Sequence, residues 1–186
     1  MKFGRAQRCI ESAKKHLMNT EFIIDQACLA HEEGSLLLEQ AHISCMEEQA
    51  KRCFERCVKR CSLGMTADTN NLLVTLHDLA LMKKAMLLLN CCTKSGHENP
   101  SMVESILLEA RQCLNSLKIN IVPEMPCIAQ VHYHLARSDQ YFREQRLVDA
   151  HAHAQIAFDL SHCHNFDTSA VAKGRLDYVD RLRNSN

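Results

Sequence analysis

Apolar and polar positions follow one another along this chain with a helical period. In NLLVTLHDLALMKKAMLLLNCC, SMVESILLEARQCLNSL and CIAQVHYHLARSDQYFREQ, apolar side chains return every three or four residues, a spacing that gathers them on one side of a helix. RLVDAHAHAQIAFDLSHCHN continues the pattern, and Asp167 or Thr168 introduces a last helix. Punctuation suggests the boundaries. GMTADT offers Gly64 as a stop and Thr66 or Asp68 as caps, while KSGHENPS offers Asn99 as an N-cap and Pro100 as a first helical position. INIVPEMP, with Pro123 and Pro126, predicts a linker at 119–126, because residues preceding proline favour an extended path. The first sixty residues also read as helix, with Gly34 either breaking one or sitting inside it.

A small pattern recurs: a small residue, a larger apolar one four positions on, and another small one three positions later. Ala6, Ile10 and Ala13 fit it, as do Ala50, Phe54 and Cys57, and Ala150, Ala154 and Ala157; Val103, Leu107 and Ala110 fit more loosely. The starts stand 44, 53 and 47 residues apart. Small residues at this spacing let a neighbouring helix approach closely.

The segment from His134 to Leu160 resembles a tetratricopeptide repeat, a two-helix unit of about 34 residues. Ser138 matches the small position of its first helix and Tyr141 the aromatic one, and Ala150, Ala154 and Ala157 match the second helix. Arg137 stands where leucine is expected, and His162 near the usual proline. The resemblance implies an all-α fold: a right-handed stack of antiparallel helical hairpins, forming one helical-repeat domain over 1–186. The wide spacing predicts longer first helices than the standard unit has. A C-terminal capping helix is expected from about residue 167, with Asp177, Asp180, Arg181 and Arg183 around Leu176, Val179 and Leu182.

Composition supports helix and narrows function. Only 5 glycines and 3 prolines occur in 186 residues. Lys plus Arg and Asp plus Glu each number 22, so the charge balance makes nucleic acid or an anionic membrane an unexpected partner. The charged start MKFGRAQRCIESAKKHLM does not read as a signal peptide, and no apolar run is long enough to span a bilayer. A cytoplasmic or nuclear protein with reduced thiols is expected, despite 11 cysteines.

Candidate chemistry is concentrated in three stretches. HAHAQIAFDLSHCH carries four histidines and a cysteine, but His151 and His153 point to opposite flanks of a helix and cannot grip one ion. Cys53, Cys57 and Cys61 share a stripe with Ala50, Phe54 and Val58, which favours core packing over metal binding. The run KRCFERCVKR sets Lys51, Arg52, Arg56, Lys59 and Arg60 against Glu55 and reads as a solvated face. No phosphate loop, HExxH, G-x-S-x-G or C-x-x-C motif is present.

The expectation is therefore a non-enzymatic scaffold or adaptor without cofactor or metal, presenting helical grooves to a protein partner, alone or inside a larger complex. Groove-facing positions are expected at His77, Lys83 and Lys84 in one first helix, and at His132, His134, Arg137 and Gln140 in another. The N-terminal helix, with Phe3, Ile10 and Leu17, has few neighbours to cover it and predicts that a partner, self-association or a missing part of a longer chain completes this end. A cysteine- and histidine-based metal- or redox-responsive protein, and an RNA-binding helical repeat, are the alternatives.

Overall fold

The computed structural model describes residues 2–17, 23–44, 47–65, 71–90, 102–117 and 125–185, with side chains for all of these except 2, 3, 39–44 and 71. The described residues are all-α: eight helices and no strand. In order they are α1 (Lys2–Leu17), α2 (Ile23–Ser44), α3 (Glu47–Gly64), α4 (Asn71–Leu88), α5 (Glu104–Asn115), α6 (Cys127–Arg143), α7 (Leu147–Cys163) and α8 (Ser169–Ser185). None of them is long and apolar enough to cross a membrane. The repeat pattern reads as one domain over 1–186; in space the chain forms two compact units, Met1–Lys84 and Ala85–Asn186, with the division inside α4.

In the N-terminal unit α2 and α3 run antiparallel at close quarters. Gly34 lies inside α2, where a Cβ would stand 2.7 Å from Cε1 of the fully buried Phe54, so only glycine lets the helices meet at this distance. The cysteine stripe of α3 turns inward with Phe54: Ala50, Cys53, Cys57 and Cys61 are all buried. Gly64 is the last residue of α3, but it has no left-handed backbone. Its missing Cβ instead makes room for Ile23 and Leu73, each 3.0 Å from where that atom would be. Ser35 of α2 and Lys83 of α4, 48 residues apart, are joined by a hydrogen bond.

In the C-terminal unit α6, α7 and α8 pack up-down-up. Ser138 of α6 donates its hydroxyl to the Ala150 carbonyl of α7 at 2.8 Å, and His134 meets His153 farther along the same antiparallel pair. Ala150, Ala154 and Ala157 are fully buried. Without side-chain bulk on that face, Val131, Leu135, Ala157 and Ala172 form one core cluster, and Phe142, Ala150 and Val179 another. Each large apolar side chain buried here contributes about 1.5–3 kcal/mol. α8 runs parallel to α6, and the two are clamped by Asp139 and Arg175, which are 2% exposed and 36 residues apart. Arg175 Nε lies 3.0 Å from both carboxylate oxygens, and Nη2 lies 3.0 Å from Oδ2.

Both helix ends in this bundle are closed by residues other than glycine. Gln145 (φ 63°) follows α6 and Asn165 (φ 52°) follows α7. Around Gln145, the Arg146 N–H donates to the Tyr141 carbonyl at 2.9 Å and the Gln145 N–H to Phe142 at 3.0 Å; Phe166 to Ser161 and Asn165 to His162 repeat the arrangement. α8 begins after Thr168, whose carbonyl accepts from Ala172 at 2.9 Å. The helix expected to start at Pro100 starts instead at Glu104, with Val103 at its cap in an extended conformation (φ −66°, ψ 128°). Asn99, Pro100, Thr66, Asp68 and the linker up to residue 124 lie outside the described residues, and Pro126 of that stretch is the N-cap of α6.

Candidate functional site

The side chains expected to face a groove are mostly engaged within their own unit. On α4, His77 is buried with Nδ1 2.8 Å from Oδ1 of the fully buried Asp78. Lys83 donates to the Ser35 hydroxyl at 2.6 Å, and Lys84 pairs with Glu55 at 2.9 Å. On α6, His132 is half-buried, whereas His134 and Gln140 are buried. Arg137 donates from Nε to the Tyr133 hydroxyl at 3.0 Å, from Nη1 to Asn115 and Gln140, and from Nη2 to the Leu114 carbonyl at 3.1 Å. It thereby ties α5 to α6, and Arg111 ties α5 to Glu144, the residue that caps the end of α6. On α1, Ile10 and Leu17 are half-buried, and the Phe3 side chain lies outside the described residues.

The histidine-rich stretch is dispersed rather than convergent. His151 reaches Asp180 of α8 at 3.0 Å. His153 faces the other way, its Nδ1 2.8 Å from Nδ1 of His134, so one ring donates, the other accepts, and at least one is neutral. Burial, then repulsion from His153, pushes His134 down to about 4. Burial, then Arg137, lowers His153 against the pull of Asp149. His162 and His164 stack on Phe158 and Phe166 at the exposed end of α7. Cys57 and Cys61 sit with their sulfurs 4.0 Å apart. The hydrogen bond to Cys61, with burial, pushes the Cys57 thiol up, which makes it a poor nucleophile. Among the described residues no three His, Cys, Asp or Glu side chains are grouped to hold a metal ion.

One open cleft, of about 370 Å³, lies in the N-terminal unit between α1, α2 and α3. Leu17, Leu29 and Ala30 give it an aliphatic floor, and Lys14, Arg56, Arg60 and Glu33 line it with three cations and one carboxylate. Glu33 is 17% exposed; its Oε1 accepts from Lys14 and its Oε2 accepts from Arg56 Nη2 at 2.8 Å. Burial opposes the charge on Glu33, but Lys14 and Arg56 outweigh it and hold the carboxyl below its usual range. Arg60 makes no hydrogen bond or ion pair among the described residues.

No family model, curated protein or solved structure matches the chain. Among the described residues, Leu17 is the one position expected to contact a partner that lines the cleft. Arg56 and Arg60 belong to the basic run noted in the sequence, one helical turn apart on α3. Lys14 and Glu33 come from other helices, and no sequence signal joins them to that run.

Proposed function

We propose that this chain is a non-enzymatic protein-interaction scaffold or adaptor, a divergent tetratricopeptide-like stack of right-handed helical hairpins that works in the cytoplasm or nucleus. The observation that carries this reading is the packing of α6, α7 and α8. α6 and α7 form an antiparallel hairpin through an alanine face, and α8 lies parallel to α6 at an offset of 36 residues. A following repeat's first helix would occupy that place at an offset of about 34 residues in the standard unit. The 48-residue offset between Ser35 and Lys83 fits the longer unit read from the spacing of the small-residue motif. Stacked hairpins bind partner segments through the surfaces they leave between neighbouring helices.

Affinity capture of the tagged chain from cells, with quantitative mass spectrometry, tests this reading. One or a few proteins recovered near stoichiometry, and lost with Ala154→Arg, are the expected result, because arginine cannot be accommodated on the buried face of α7. Recovery of the chain alone, together with a monomer by light scattering, would count against both a partner and self-association.

A further inference from the structure

We propose that the cleft between α1, α2 and α3 receives a short segment of a partner protein, one that carries an aspartate or glutamate beside an aliphatic side chain, with Arg60 taking the carboxylate. The proposal rests on the protein-interaction reading and names the chemistry of the partner.

Charge complementarity selects this occupant. Among the described residues three cations meet one carboxylate at the cleft, a formal surplus of two positive charges there, in a chain whose total is zero. Lys14 and Arg56 already hold Glu33 between them, so the same wall binds a carboxylate within the chain. Arg60 lies one turn farther along α3 with its guanidinium unengaged among the described residues. A guanidinium fork receives a carboxylate through two parallel hydrogen bonds. The aliphatic floor of Leu17, Leu29 and Ala30 gives a neighbouring Leu, Ile or Met side chain an apolar seat. A bare inorganic anion would gain nothing from that floor. Among the described residues no aromatic side chain lines the cleft, so they offer a polynucleotide no stacking surface. The volume of about 370 Å³ falls at the small end of the ~300–1,000 Å³ range of ligand pockets, which suits a few side chains.

The test is a phage-displayed library of random peptides panned against the full chain, followed by fluorescence anisotropy with the enriched peptides. Enriched sequences are expected to pair Asp or Glu with Leu, Ile or Met, and to bind more weakly as salt rises. Arg60→Glu, on an exposed position whose circular dichroism should match the parent, is expected to weaken them about tenfold or more, and Arg60→Lys much less. Glu33→Gln, which releases Lys14 and Arg56 from their internal carboxylate, is expected to tighten binding about threefold. Peptides without acidic residues, equal binding to Arg60→Glu, or unchanged or weaker binding to Glu33→Gln would overturn the proposal while leaving a protein-interaction role intact. Failure to enrich any peptide would overturn both.

Discussion

Separating Asp139 from Arg175 should cost the C-terminal unit a large part of its stability, whereas replacing both should not. Both side chains are almost completely buried and share three contacts at 3.0 Å. At an effective dielectric constant of about 20 and a charge separation of about 4 Å, their attraction is about 4 kcal/mol. Breaking a buried pair of this kind by removing one partner costs about 3–5 kcal/mol. Arg175→Met and Asp139→Leu should each fall in that range. The double variant, which fills the same space with apolar atoms, should lose no more than about 2 kcal/mol. Urea denaturation followed by tyrosine emission reads the effect directly. The chain has no tryptophan, and its three tyrosines, Tyr133, Tyr141 and Tyr178, all lie on α6 and α8. With a urea slope of about 1.5 kcal/mol per M, a loss of 4 kcal/mol moves the midpoint by about 2.7 M. Single variants costing less than about 1 kcal/mol, or a double variant as unstable as their sum, would refute the account.

Three further outcomes are expected. Gly34→Ala should lower stability by about 1–2 kcal/mol in thermal melts, because the clash with the Phe54 ring exceeds the helix propensity gained; a stabilised variant would show that α2 and α3 separate freely. Gln145→Gly should stabilise the C-terminal unit by about 0.5–1 kcal/mol by removing a left-handed backbone from a residue with a Cβ, and an unchanged urea midpoint would count against strain at this turn. Because His134 titrates near 4 in the folded chain and near 6.5 when unfolded, its stabilising contribution is complete above the unfolded value and is lost as pH falls from there towards 4. About 2 kcal/mol should disappear between pH 7 and pH 5, and His134→Gln should flatten that dependence in urea titrations at the two pH values.

The packed face of a single helix could be read from the chain, whereas contacts between helices could not. The spacing of Ala150, Ala154 and Ala157 marks a packed face, and all three are fully buried. The stripe of Cys53, Cys57 and Cys61 is likewise inward, as its fourfold spacing indicates. Helix ends were less legible. Gln145 and Asn165 close their helices in a conformation usually given to glycine, so nothing in their side chains announces the turn. α3 does stop at Gly64, as the sequence suggests, but without a left-handed backbone, and its lack of a Cβ also serves helix contact. Arg137 and Gln140 read as surface groups until Asn115, Leu114 and Glu144 are brought beside them. The cleft was hidden for the same reason: Glu33 lies 19 residues from Lys14 and 23 from Arg56. Periodicity along a helix carries no information about which charged faces will meet.

The left-handed turn at Gln145 also bears on how sharply the bundle melts. Outside the packed bundle that backbone conformation is disfavoured by about 1–2 kcal/mol, so the chain between α6 and α7 does not bend this way by itself. Docking of Ser138 against Ala150 and of His134 against His153 holds the bend in place. Loss of the helix contacts therefore releases the turn, and release of the turn draws the helices apart. With glutamine there, the turn and the contacts between α6 and α7 are expected to form and melt together.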